Sequence, residues 1–514
     1  MQQIIQSFKT GETSIEEIPV PVVSKGAVLI QTTFSLVSLG TEKMLVEFGK
    51  SSLISKARQQ PDKVKQVLDK VKSDGLLPTL EAVFNKLEQP IPLGYCNVGR
   101  ILAVGEGVSG FAIGDRIASN GHHAEFVSVP QNLVAKIPDS ITDEEACFTV
   151  IGSIGLQGIR LCNPTYGETI VVIGLGLIGL ITAQILKANG ARVIGVDLSA
   201  DKCKLVQSWG IDVINPSMGN NVVKSVLDLT NQIGADGVII TASTKSNEVI
   251  TQAAQMSRKR GRIILVGVIG LELNRADFYE KELSFQVSCS YGPGRYDENY
   301  EQKGMDYPLP FVRWTEKRNF ETILQAIANG QLKVNELISE IVDFQDFQKI
   351  YGNIGNTGSI ASILKYPAHH HLTSDSSIIE LSKRNYSGAK GVIGVIGAGN
   401  FAKMTMLPAL KGSGAQFKII SSANGLSGTL LAKKYGFSHS TTDNQNIWTD
   451  PEIDLVMITT RHNRHADQVV QSINAKKHVF VEKPLALTEH ELTEVISAYN
   501  NSVKDNLTIS VGFN

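Results

Sequence analysis

Along the first 135 residues, apolar positions come in short runs closed by Gly, Pro or Asn. Examples are VLIQTTFSLVSLG at 28–40, VGRILAVGEG at 98–107, DRIASN at 115–120 and AEFVSVP at 124–130. Runs of that length between turn residues predict short strands, and their frequency predicts a small irregular barrel. The pattern changes near 51–88, where Val64, Val67, Leu68 and Val71, then Leu80, Val83, Phe84 and Leu87, recur at helical spacing. Two amphipathic helices inserted into the barrel are expected there. From Glu168 onward, buried strands alternate with glycine turns and helices: ETIVVIG, ARVIGVD, DGVIITAS and RIILVGV. This is the texture of a parallel sheet wrapped by helices. Residues 366–390 are polar and aperiodic and read as a linker. The alternation then restarts with GVIGVIGAGN, FKIISSA, LVMITT, HVFVEKP and LTISVGFN.

The expected class is therefore α/β. Residues 1–150 form a barrel-like catalytic domain and 151–300 a first parallel α/β domain. Residues 301–365 return to complete the barrel, 366–390 link, and 391–514 form a second α/β unit.

Each α/β unit opens on a glycine loop. The first is Gly174-Leu-Gly176-Leu177-Ile178-Gly179, placed directly after the strand TIVVI and before the helix LITAQILKANG. The first glycine allows a tight turn, the second lets a pyrophosphate approach the backbone, and the third lets helix and strand pack closely. Free N–H groups at the helix start then attract phosphate. Asp197, ending the next strand, is placed to accept hydrogen bonds from a ribose and to repel a 2′-phosphate, so NAD is expected at this site. The second loop is Gly397-Ala-Gly399-Asn400-Phe401-Ala402. Its next strand ends at Ser421 with no carboxylate, which leaves NAD or NADP open.

Charge and cysteine content narrow the classes. The 49 basic and 50 acidic side chains nearly cancel, so nucleic-acid binding is not expected. The N-terminus lacks the basic start and apolar core of a signal peptide, and no apolar run reaches membrane-spanning length. The five cysteines are widely spaced, which reads as reduced thiols and a cytoplasmic location.

Residues 1–365 resemble the medium-chain (zinc-type alcohol) dehydrogenase/reductase family. The GDRI turn at 114–117, the His123-Ala-Glu125-Phe-Val run and GLGLIG carry the resemblance. It implies a GroES-like barrel followed by a Rossmann domain. Where that family holds catalytic zinc, this chain reads Ser35-Leu-Val-Ser38-Leu-Gly-Thr41-Glu42 and Gly94-Tyr95-Cys96, so a zinc-independent enzyme with no metal site is expected. Residues 391–514 resemble the Gfo/Idh/MocA family, through GAGNFA, the stretch from Thr459 to His465, and Glu482-Lys483-Pro484. Lys483 is thereby implied near nicotinamide and substrate. That family continues into a substrate domain, and the chain stops where it would begin, so a truncated unit is expected. The joined order resembles bi-domain oxidoreductases associated with polysaccharide biosynthesis.

Without zinc, Tyr95 and His123 are the candidates to polarise a carbonyl and take a hydroxyl proton, with Glu42 and Thr41 orienting them. Arg295, Arg313 and Trp314, in a turn-rich loop, suit a sugar or sugar phosphate. The reading is an NAD(P)-dependent dehydrogenase or reductase acting on a CH–OH or C=O group of a sugar-like small molecule, with a homodimer allowed. Two alternatives stay open: a catalytically inactive dinucleotide-binding scaffold or sensor in a biosynthetic assembly, and a reductase of a non-sugar carbonyl.

Overall fold

The computed structural model describes residues 1–8, 10–51, 90–352, 354, 358–367, 374–386, 391–502 and 505–513. The helical insert expected at 51–88 lies outside the described residues past Ser51. Among the described residues, no helix is long and apolar enough to cross a membrane.

The N-terminal β-runs assemble into two sheets. The larger has seven strands, ordered Ile338–Asp343, Ala361–Lys365, Ala27–Val37, Asn97–Val104, Arg116–Ser119 and Val134–Lys136, with Phe126–Pro130 paired to Ala27–Val37 off that path. The smaller joins Thr13–Glu17, Gln2–Gln6 and Ile91–Pro92. The outer two strands of the larger sheet come from residues 338–365, so the chain returns to this β-domain after crossing the first α/β unit. Helix α1 (Leu39–Lys50) leaves the long central strand at Ser38.

The first α/β unit is a six-stranded parallel sheet in the order Asp212–Ile214, Arg192–Val196, Thr169–Ile173, Ala235–Ile240, Ser257–Leu265 and Ser284–Val287. Its strands read as continuous β-branched runs because both faces are covered. Helix α2 (Thr149–Cys162) packs on helix α3 (Leu177–Ala188) and on helix α4 (Glu316–Ala328). Glycines allow the close approach: a Cβ on Gly155 would lie 2.6 Å from the Thr182 hydroxyl of α3.

The second unit repeats the design with the order His439–Thr441, Gln416–Ser421, Val392–Ile396, Leu455–Ile458, His478–Val481 and Ile509–Val511, all parallel. A seventh strand, Ile378–Glu380, pairs antiparallel with His439–Thr441 at the edge. It comes from the segment expected to be a linker. Three consecutive residues, Ile378, Ile379 and Glu380, are too few to show periodicity, but they complete an otherwise open sheet edge. Tyr386, farther along that segment, is buried, and its hydroxyl donates to the Phe417 carbonyl at 2.7 Å.

The second unit docks on the β-domain. The Thr442 hydroxyl donates to the Val20 carbonyl, and Val20 N–H donates to the Ser376 carbonyl at 2.9 Å. Lys433 pairs with Glu16. Toward the first α/β unit, an exposed ion pair joins Arg461 and Glu298 at 3.0 Å.

If residues 374–386 belong to the second sheet, Tyr386→Phe should leave a buried carbonyl unpaired and destabilise that unit by about 1 kcal/mol or more. Denaturant unfolding of the full chain, followed by Trp448 fluorescence, checks this. An unchanged midpoint would return the segment to the role of linker.

Candidate active site

The two glycine loops have the same construction. At Gly174 (φ +95°) and Gly397 (φ +110°) the backbone turns left-handed, a region that disfavours a side chain. A Cβ at either place would also strike the neighbouring strand end, at Ala242 or Thr459, within 2.7 or 2.8 Å. Threonines from those strand ends, Thr241 and Thr459, donate to the Gly174 and Gly397 carbonyls. Gly176 and Gly399 are different: a Cβ there would meet nothing within 4 Å. The open space lies where each loop must admit a pyrophosphate. The third position is tight, since a Cβ on Gly179 would lie 1.9 Å from the Gly174 carbonyl oxygen, whereas Ala402 is accommodated at the same place in the second loop. Leu177 and Ile178 are half-buried at the mouth of the first loop, and Asn400 is exposed beside half-buried Phe401 at the second.

Asp197 stands at the end of its strand as expected, and it also fastens the loop. One carboxylate oxygen accepts Leu175 N–H at 2.6 Å and the other accepts Ser199 N–H at 2.8 Å. A carboxylate has about four lone-pair sites, so room remains for a ribose hydroxyl. Ser421 is buried, and its hydroxyl donates to Asn444 at 2.6 Å. Asn424, three residues on, instead lines a groove of about 890 Å³ between the second unit and the β-domain, together with Ala398, Lys403, Phe126 and His122.

Between the β-domain and the first α/β unit, α1 crosses the cleft. The Ser243 hydroxyl, at the end of a strand beside the first glycine loop, lies 3.9 Å from the Met44 sulfur. One turn earlier, the Tyr95 hydroxyl donates to Thr41 at 3.3 Å. Tyr95 is half-exposed, and burial of its hydroxyl, then Cys96 nearby, hold the phenol well above its ordinary pKa against the hydrogen bonds from Ser38 and Thr41. Tyr95 therefore stays a proton donor across the neutral and mildly alkaline range.

His123 and Glu42 lie behind this surface and are sealed from it, with 0% and 1% exposure. Neither can touch a substrate, which corrects the expectation that His123 takes the hydroxyl proton directly. His123 Nδ1 is 2.7 Å from the Ser35 hydroxyl, which is 2.9 Å from the Tyr366 hydroxyl. His123 Nε2 is 3.3 Å from Glu42, whose other oxygen accepts from Tyr351. Glu42 also accepts Ser38 N–H at 2.9 Å, at the start of α1. The cluster holds the first turn of α1 and so positions Thr41 and Tyr95. Sequence reasoning missed Tyr351 and Tyr366, because no spacing connects residue 42 with residues more than 300 positions away.

Two thiols adjoin the cluster. Burial pushes the Cys96 thiol up, as Glu42 does to a lesser degree, and burial does the same to Cys147. Zinc needs three or four such ligands converging on one point. Among the described residues, no three His, Cys, Asp or Glu side chains gather to hold a metal ion.

The remaining expected substrate residues do not reach this cleft. Arg295 pairs with Glu301 at 2.5 Å, beside buried Glu316, whose carboxyl is pushed up to about 9 by burial and then by Glu301. Arg295 is therefore a clamp within its own loop. Arg313 and Trp314 lie against the ends of α2 and α3 farthest from the first glycine loop, in a separate groove. Lys483 is exposed at the end of its strand, on the same edge of the second sheet as the glycine loop, and buried His465 contacts the adjacent Pro484 carbonyl at 2.8 Å.

Residues 178–303 match the family described as zinc-binding dehydrogenase. Residues 392–513 match the oxidoreductase family with an NAD-binding Rossmann fold, Gfo/Idh/MocA. A D-guloside 3-dehydrogenase of Escherichia coli (strain K12) is 30% identical over 262 residues, which is 49% of this chain and 70% of that protein. The (R,R)-butanediol dehydrogenase of Bacillus subtilis (strain 168) is 27% identical over 232 residues, 39% of this chain and 66% of its own length. Two solved structures, the alcohol dehydrogenase TADH from Thermus sp. ATN1 and a galactitol-1-phosphate dehydrogenase from Escherichia coli, superpose with TM-scores of 0.55. They are 18% and 19% identical and cover 71% of this chain and 100% of their own. At that identity the likeness establishes the fold alone.

Because Gly176 and Gly399 face open space, Gly176→Val and Gly399→Val should each weaken dinucleotide binding by about 100-fold or more at one site, through steric exclusion of the pyrophosphate. The thermal transition should not move. Fluorescence titration with NADH, with circular dichroism melts alongside, separates these two effects. A loss of binding accompanied by a lower melting temperature would place the effect in folding.

Proposed function

The chain belongs to the zinc-binding dehydrogenase family, and from that premise we propose that residues 1–365 form an NAD(P)-dependent dehydrogenase that works on a sugar-like alcohol or ketone without zinc. The nicotinamide, when bound, accepts or donates the hydride. The carrying observation is the path of α1, which brings Tyr95 and Thr41 to the cleft within one turn of the Met44–Ser243 contact at the strand ends.

In the reductive direction the Tyr95 hydroxyl turns from Thr41 to donate a hydrogen bond, and then its proton, to the substrate oxygen; the Thr41 hydroxyl donates in turn to the phenolate oxygen, and solvent returns the proton. The raised pKa keeps Tyr95 protonated but a weak acid, so its main contribution is the hydrogen bond to charge developing on the substrate oxygen, and in the oxidative direction it needs a partner to act as a base. Glu42, His123, Ser35, Tyr351 and Tyr366 act as positioning residues through α1. Zinc is left out of the reading because His123 and Glu42 are already engaged by neighbours, Ser35 and Tyr351 among them. The name of the guloside 3-dehydrogenase supports a glycoside hydroxyl as the substrate group, and the butanediol dehydrogenase supports a secondary alcohol.

The second unit takes a second NAD(P), with Lys483 toward its substrate side. The groove lined by Ala398 and Asn424 on one side and by Phe126 and His122 on the other supports this, because the β-domain supplies a wall to the nucleotide. Its volume falls in the range of about 300–1,000 Å³ usual for small-molecule sites.

Oxidation of hexosides, polyols and nucleotide sugars, read by NAD(P)H absorbance, tests the reading. Tyr95→Phe should lower kcat by about 100-fold or more while leaving the affinity for NADH intact. Reduction should show no tyrosine limb up to about pH 10, the ordinary value for the group. Stoichiometric zinc that leaves together with activity on chelation would overturn the metal-free reading, and a chain that binds NADH but turns over none of the panel would favour a scaffold. Asp197→Ser should weaken NAD binding and relax the exclusion of NADP; equal loss of both cofactors would mean that its fastening of Leu175 matters more than its ribose contact.

A further inference from the structure

Trp314 carries a cation on each face. The Arg160 guanidinium carbon lies 3.5 Å from the ring centre and that of Arg313 lies 3.9 Å away. Two planar guanidiniums that close to one ring centre clash if they share a face, so the indole is sandwiched. Both ring faces are therefore spent, and Trp314 has none left to stack on a sugar. What the arrangement offers outward is the N–H edges of two cations, held roughly 7 Å apart at the indole rim.

Arg160 donates to Asn319 at 2.8 Å, and among the described residues neither it nor Arg313 has a carboxylate partner. The rest of the region is handled otherwise: Arg116, Arg258, Arg262, Arg295 and Arg318 each meet an Asp or Glu. Glu321 stands on the groove wall and, among the described residues, pairs with neither Arg160 nor Arg313. Burial, and then the charge of Arg313, depress the Arg160 guanidinium to about 10. Two like charges this close, partly desolvated, destabilise each other until an anion joins them.

The groove they line has a volume of about 810 Å³ and runs past Gln325 and Gln331. It opens where α2 and α3 end, at Asn163 and Asn189, whereas the glycine loop sits where α3 begins. A helix of 12 residues separates the two, about 18 Å.

We infer that this groove is a binding site for a phosphate-sized oxyanion, free or as the phosphate of a sugar ester, distinct from both dinucleotide sites. Charge-assisted hydrogen bonds of about 2.8 Å from each guanidinium to a tetrahedral anion span the gap between the two cations. The amide side chains farther along the groove have the chemistry to hold saccharide hydroxyls.

The test uses the full chain with NADH saturating both glycine loops, so that phosphate cannot be read from a pyrophosphate cradle. Inorganic phosphate and a hexose 1-phosphate are titrated separately by calorimetry and by quenching of Trp fluorescence. Saturable binding is expected, weakened about tenfold or more by Arg313→Gln and abolished when Arg160→Gln is added. NADH affinity should be unchanged in both variants. Arg313 is exposed, so its variant should fold, and the melting temperature verifies this. Tighter binding of the ester than of phosphate assigns the amide end to a sugar, and equal binding assigns the site to the oxyanion alone. Three results overturn the inference: no saturable binding of either probe, binding that Arg313→Gln leaves intact, or self-association that Arg313→Gln abolishes in the absence of any phosphate binding.

Discussion

A carboxylate with almost no exposure to water must be surrounded by donors, and Glu42 meets this demand with three segments of chain that are far apart in sequence. Ser38 donates from the start of α1, Tyr351 from the returning segment, and His123 approaches from the loop between two strands. Removing a partner would leave a buried carboxyl oxygen short of a donor, a cost of about 1–3 kcal/mol. The constraint therefore holds residues 338–365 against the first hundred residues, and it sets the direction in which α1 leaves the β-domain. The placement of Thr41, Tyr95 and Met44 in the cleft follows from that direction.

The two α/β units show a second constraint at work twice. A strand must turn into a helix while leaving room for a pyrophosphate, and both units reach the same answer. A left-handed glycine is locked by a threonine from the neighbouring strand end, and a second glycine faces open space. They differ at the next strand. In the first unit Asp197 reaches back to the loop, so the residue that would select the ribose also stiffens the phosphate cradle. In the second, the Ser421 hydroxyl turns inward to Asn444 instead.

The loops were legible in the sequence because their chemistry is local: strand, glycines and helix follow one another within a few residues. The parallel sheets were legible for the same reason, through runs of β-branched residues such as IVVI and VIGVI. The cluster behind the cleft was legible only in part. Tyr95 stands beside Thr41, but His123 could not be recognised as sealed, since burial depends on Tyr351 and Tyr366 closing over it from the far end of the chain. Arg313 and Trp314 have the composition of a sugar site, and only three dimensions reveal that the arginines occupy both faces of the ring. The edge strand Ile378–Glu380 was hidden because its pairing partner, not its own pattern, makes it a strand.

The junction between the β-domain and the second unit includes a backbone hydrogen bond from Val20 to Ser376, a Thr442 hydroxyl bond to the Val20 carbonyl and the Lys433–Glu16 pair, while the junction between the first and second α/β units includes a solvent-exposed ion pair. Their strengths differ greatly, because an exposed ion pair is worth at most about 1 kcal/mol. Any change in the angle between the β-domain and the first α/β unit would therefore carry the second sheet along with the β-domain, past Glu298, and would leave the groove lined by Phe126, His122, Ala398 and Asn424 with both of its walls together.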